Sequence, residues 1–201
     1  MATTKERIIQ NSKRLFSENG IANTRLQQIA DETQISVGNL AYHYANKEEI
    51  VQGVYNQILG ELTGILEMNK VYPGLDSFDI KFSNLYRFME KNVFYFTNFW
   101  EIKRNYPIVH GKIMAFNKKI QSKLKKRINE NVGRGSLIKE DSRKTYDLLA
   151  SALLNSINTW LPMQILNEKI PKEKNFRSYM WNLIFPYLTQ KGLKEFEVVQ
   201  L

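Results

Sequence analysis

The 201-residue sequence has no cysteine. That excludes disulfides, thiol nucleophiles, zinc–cysteine sites and iron–sulfur clusters. Only two histidines are present, His43 and His110, which leaves little for a histidine metal site or triad. No apolar run approaches the ~18 residues that a membrane span needs. No Gly-x-Ser-x-Gly or phosphate-cradling glycine loop occurs, and Gly133-Arg134-Gly135-Ser136 reads as a turn. The start, Met1 to Arg7, turns charged where a signal peptide would turn apolar. These absences predict a soluble, cytoplasmic protein without a metal or cofactor, and not an enzyme.

Charge is present but unevenly placed. The formal net charge is +9, yet residues 1–50 carry six basic and six acidic side chains. Residues 101–150 carry thirteen basic and five acidic ones and hold nearly all the excess. Much of it lies on Lys112, Lys118, Lys119, Lys123, Lys125, Lys126 and Arg127. Ile113, Phe116, Ile120, Leu124 and Ile128 give that stretch an inward face, so the basic residues read as a solvated outer face.

Apolar residues recur at helical spacing throughout, and no stretch alternates with a period of two. The pattern predicts an all-α chain with helices near 4–19, 25–32, 37–44, 47–70, 77–98, 100–105, 107–131, 140–167 and 173–190. Three pairs have the spacing of a reciprocal helix cap: Thr3 with Glu6, Thr24 with Gln27, and Asn46 with Glu49. Between the last two, two short helices must meet across Glu32 to Ser36. Ile29, Ala30 and Ile35 point inward, Ser36 caps the second helix, and Leu40 and Tyr44 form its inner face. Short helices joined this way make either a plain helical hairpin or a helix-turn-helix.

The outward residues separate those readings. Val37, Gly38, Asn39, Tyr42 and His43 stand where an ordinary solvated helix would carry Lys and Glu. Gly38 costs ~1 kcal/mol of helix propensity against Ala, a cost that makes sense where a backbone must approach something closely. An asparagine amide such as Asn39 can pair with adenine. Tyr42 and His43 suit phosphate or sugar, and Lys47 begins the next helix.

The run from Arg7-Ile8-Ile9 through Asn19-Gly20, Leu26 to Ala30, Ile35 to Leu40 and Tyr42 to Ile50 resembles the DNA-binding domain of the TetR family of bacterial transcriptional regulators. The resemblance implies an N-terminal three-helix domain over 1–50 and a larger helical regulatory domain over 51–201. It implies phosphate contacts from Thr24 and Arg25, a recognition helix that starts with Val37, Gly38 and Asn39, and backbone contacts from His43 and Lys47, with Ser36 and Tyr42 also at the DNA-binding surface. The family often has tyrosine where this chain has Ala41, and a basic residue or proline at Val37, so no operator sequence is implied.

By the same resemblance the second domain pairs two copies and holds a ligand. The apolar stripes of the last long helices, with Leu149, Ala152, Leu153 and Ser156 on one and Met180, Trp181, Ile184, Tyr187 and Leu188 on the other, read as the homodimer face. Tyr86, Met89, Phe96, Trp100 and Trp160, with Asn117 and Asn155 as polar groups, read as a site for a small hydrophobic or aromatic effector. The expected function is a repressor of a palindromic double-stranded operator, released by such an effector, with no membrane insertion. The alternative is a DNA-bound scaffold that works through a protein partner without an effector.

Overall fold

Thr3 starts the first helix as its side chain suggests. The Glu6 N–H donates to Thr3 Oγ1 at 3.2 Å, and the Thr3 N–H donates to Glu6 Oε2 at 2.8 Å. The structure is a computed structural model that describes residues 2–67, 74–140 and 144–199. The first helix, α1, spans Thr4–Asn19 and stops at Gly20, whose φ of 79° suits glycine and whose N–H returns to Phe16 O. Two short helices come next, α2 (Leu26–Thr33) and α3 (Val37–His43), and then α4 (Lys47–Glu67). Residues 68–70, expected to continue α4, lie outside the described residues, as do 141–143.

The expected single helix over 77–98 is two: α5 (Asp76–Lys91) and α6 (Val93–Thr97). Asn92 separates them, fully buried, at φ −133° and ψ 40°. Beyond them lie α7 (Phe99–Asn105), α8 (Pro107–Gly133), α9 (Thr145–Leu166) and α10 (Glu173–Ile184). The last expected helix, 173–190, also breaks. A 3-10 turn occupies Phe185–Tyr187, where Pro186 has no N–H to give. Thr189 then caps a further helix, α11 (Gln190–Phe196), which the sequence pattern does not predict. The described residues contain no strand, only an isolated bridge between Leu137 and Leu188. Among the described residues no helix is long and apolar enough to cross a membrane.

The chain divides into two compact units, one of residues 1–61 with 92–113, the other of 62–91 with 114–201. Helices α4 and α8 contribute residues to both, and the 50/51 partition falls within α4.

The first unit is built on α1. Ile8, Phe16, Ile21, Ile29, Leu40, Ile50 and Val54 are almost wholly buried. Phe94 of α6 meets Phe16 edge-on at 6.5 Å and Tyr55 at 6.1 Å. Polar ties orient α2. Arg7 donates to Thr33 O, and Asn11 Nδ2 donates to Glu32 O and Thr33 Oγ1, each at 3.2 Å. The last carbonyls of α2, which lack partners in their own helix, are thus satisfied from α1.

In the second unit the core is aromatic. Phe82 stands edge-on to Trp181 at 6.0 Å and to Phe176 at 6.4 Å, and Trp160 stands 5.1 Å from Phe176. Asp79 closes one side, accepting from Arg177 Nε at 2.9 Å and Trp181 Nε1 at 3.0 Å. Such polar tips are the usual requirement for burying tryptophan. Helix α11 docks where Gly192 meets the Ser136 carbonyl, while Glu195 accepts from Ser136 Oγ at 2.8 Å.

Candidate nucleic-acid interface

The turn between α2 and α3 is set by Gln34, the left-handed residue that ends α2 at φ 58° and ψ 48°. A short polar residue would enter that region more easily than glutamine. The Ile35 N–H still reaches Ala30 O at 3.0 Å, which closes the turn. Ser36 then caps α3, its Oγ accepting from the Asn39 N–H at 3.1 Å. With Leu40 1% and Tyr44 8% exposed, the register of α3 is fixed.

That register turns Val37, Gly38, Asn39, Ala41 and Tyr42 to the outside. Tyr42 is 85% exposed and its ring stands edge-on to His43 at 5.3 Å. A β-carbon at Gly38 would find only Ser36 Oγ, at 3.8 Å. Packing within the chain therefore does not require glycine there, and its backbone is left bare toward the outside.

Beside α3, Asn46 Oδ1 accepts from the Glu49 N–H, and Glu49 Oε2 from the Ala45 N–H, both at 2.9 Å. This is the expected cap with its return bond shifted by one residue. Lys47, the next residue, is half-buried and donates from Nζ to Ala22 O at 3.2 Å. Burial pushes its ammonium below the ordinary lysine value, and the charge of Glu101 opposes that shift. Arg25, at the start of α2, is exposed, and Gln28 rather than Gln27 reaches back to its N–H, at 2.7 Å.

Thr24 does not cap α2. It is 1% exposed, and its hydroxyl donates to Gly20 O at 2.8 Å and Leu15 O at 3.3 Å. It fastens the α1–α2 connection and presents no side chain outward. Lys5 joins this surface without having been expected there: it is exposed, with Nζ 5.2 Å from the centre of the Tyr44 ring. Its signal in the sequence is a lysine one turn before Ile8 and Ile9, on the outer face of α1. It lines an open groove of about 670 Å³ with Gln10, His43, Gln52 and Asn56.

The residues expected to hold an effector are divided between the two units. Tyr86, Met89 and Trp160 are buried in the second unit, where Tyr86 and Trp160 pack edge-on at 6.2 Å. Phe96 and Trp100 belong to the first unit, and Trp100 is 71% exposed. Asn155 is exposed. Asn117 Oδ1 is buried and has no hydrogen-bond donor among the described residues.

The expected dimer face divides too. Leu149, Leu153, Ser156, Met180, Trp181 and Ile184 are buried inside the chain, although Leu149 still lines an open groove. Ala152, Tyr187 and Leu188 are half-buried. Outward apolar residues here include Leu148, 69% exposed, Tyr179 and Phe185, with Met163, Ile165 and Leu166 at the end of α9. An open groove of about 410 Å³ lies among Thr145, Leu148, Ala152, Leu183 and Tyr187.

Residues 8–54 match the family model described as bacterial regulatory proteins, tetR family. The chain is 38% identical over 82 residues to IcaR of Staphylococcus epidermidis, a helix-turn-helix negative transcriptional regulator of the biofilm operon icaADBC. It is 38% identical over 71 residues to YerO of Bacillus subtilis, an uncharacterized helix-turn-helix transcriptional regulator. These stretches cover 39% and 35% of this chain but only 44% of IcaR and 23% of YerO, so the chain spans less than half of either relative. In fold it is similar to a TetR-family regulator from Marinobacter aquaeolei, with a TM-score of 0.83, 17% identity, and coverage of 94% of this chain and 93% of that one. Residues 8–54 thus carry the motif of the tetR family model, and the all-helical fold that continues it is similar to that of a TetR-family regulator.

Proposed function

We propose that the chain is a non-enzymatic transcriptional regulator that binds double-stranded DNA as a homodimer. The observation that carries this is the outward face of α3, where bare backbone at Gly38 adjoins Asn39 and a projecting Tyr42, on a helix whose other face is locked into the core. Helix α3 enters the major groove, Asn39 reads a base edge, and Val37 and Gly38 lie against the groove floor. Arg25, Tyr42, His43 and Lys47 hold phosphates or sugars, with Ser36 beside them. Thr24 serves from behind by holding the start of α2. Because residues 1–50 carry no net charge, affinity comes from the placement of these few groups.

One such helix reads too few base pairs, and two copies supply the second. The pairing surface is the outer face of α9 and the end of α10, around Leu148, Ala152, Leu183, Phe185 and Tyr187. Two recognition helices then meet a palindromic operator about 34 Å apart.

Release is triggered by a small hydrophobic or aromatic effector bound in the region 51–201. The unmatched Asn117 Oδ1 supports this, since a ligand donor would satisfy it. To take the operator-competent state from 99:1 to 1:99, the effector must discriminate between states by ~5.5 kcal/mol. The interlocked packing of Phe82, Phe176 and Trp181 favours the second reading, a DNA-bound scaffold that acts through a protein partner with no effector. Selection of duplexes from random DNA, followed by a screen of small apolar molecules for release, separates the two. Release by any of them supports the first reading, and operator binding that none alters supports the second.

A further inference from the structure

On α5, Ser77 and Lys81 stand one helical turn apart, and on α8 Lys123 and Arg127 do the same. Arg127 joins these faces: its Nε donates to Ser77 Oγ at 3.1 Å, and a terminal nitrogen donates to Gly74 O at 3.1 Å. The seam therefore collects three cations. Two have carboxylate partners, Arg127 with Glu130 and Lys123 with Glu67, each at 3.0 Å. Lys81 has no partner among the described residues, although only 9% of it is exposed, and its neighbours Ser77 and Arg127 are 4% and 6% exposed.

Burial first, and then the like charges of Arg127 and Lys123, push the Lys81 ammonium down to about 8, against the opposing pull of Glu130. A buried ammonium with no hydrogen-bonded or ion-pair partner among the described residues is a standing cost to the fold. Methionine would fill the same space without it. The fold keeps a cation where packing alone would not put one.

We propose that Lys81, with the Ser77 hydroxyl and the Arg127 guanidinium beside it, anchors an anion-binding site in the second unit that takes a small carboxylate or phosphate. The guanidinium is engaged by Ser77, Gly74 and Glu130, so Lys81 supplies the open donors, as a point charge that suits either anion. The inference does not depend on what α3 reads.

The test is calorimetric titration of the full chain at about pH 7 and constant ionic strength, with sodium octanoate, with inorganic phosphate and with uncharged octanol. At least one anion binds saturably and octanol does not. Which anion binds identifies the source of the charge. Lys81→Met weakens that binding at least about tenfold, and Lys81→Arg keeps it within about threefold. Binding also fades at about pH 9.5, where Lys81 has lost its proton. Lys81→Met relieves a buried charge, so it melts above the parent chain, and its loss of binding is not loss of fold. Equal binding by octanol, unchanged affinity in Lys81→Met, or no saturable binding of either anion overturns the proposal.

Discussion

The Ser36 hydroxyl accepts the Asn39 N–H at 3.1 Å, so the residue that starts α3 also holds in place the backbone of its outward-facing asparagine. Ser36→Ala should cost about 1 kcal/mol, read by denaturant unfolding. Ser36→Asp keeps a cap acceptor, and its charge suits the helix start, so stability is retained. A carboxylate at that exposed position would face phosphate, however, and duplex affinity should fall in Ser36→Asp with no loss of fold.

Lys47 reaches across to Ala22 O while one end of it stays near solvent. If it holds a phosphate, Lys47→Ala weakens binding to all duplexes to a similar degree and lowers the slope of log affinity against log salt by about 1. Fluorescence anisotropy across a salt series checks this. An unchanged slope removes Lys47 from the phosphate contacts.

Gly192 sits so close to Ser136 that a β-carbon there would lie 2.1 Å from its carbonyl oxygen. Backbone must move to admit it. Gly192→Ala should destabilise the chain by about 1–3 kcal/mol, measured by thermal unfolding.

Lys81 makes stability depend on alkaline pH. Its folded value of about 8 lies below the unfolded 10.5. Between these the unfolded chain holds a proton that the folded chain lacks, so stability rises with pH across that window. Below it both states are protonated and the penalty is complete. Lys81→Met should therefore be more stable at neutral pH, by up to about 3 kcal/mol, with the gain shrinking toward pH 10.5. Urea unfolding at several pH values tests both the sign and the window.

Leu148 is 69% exposed on the outer face of α9. Leu148→Asp should leave unfolding nearly unchanged but yield a monomer in sedimentation, with operator affinity lost alongside pairing. Leu149→Asp, in the core, should instead fail to fold. A stable Leu148→Asp dimer would move the pairing surface elsewhere.

The first fifty residues are legible because their signals are local. Caps, a three-residue turn and the spacing of Ile29, Leu40 and Tyr44 are all decided within a few positions of the chain. Thr24 misleads because a threonine before a helix resembles a cap until its hydroxyl is seen turned toward Leu15 O and Gly20 O. Farther along, α9 is apolar on both faces, and periodicity does not say whether Leu148 or Leu149 faces the core. The aromatic run from Phe78 to Phe96 reads as one helix until Asn92 divides it between two units. Helix α11 escapes because Pro186 looks like an ending, whereas Thr189 begins again.

Selection from random duplexes at low salt, carried out in parallel with the parent chain and with Asn39→Ala, bears most directly on the role of α3. The account predicts a palindrome for the parent, with half-sites about one helical turn apart, and a relaxed preference at the same position of each half-site for Asn39→Ala. Enrichment of no sequence by the parent chain, or of the same motif with equal stringency by both proteins, would contradict it.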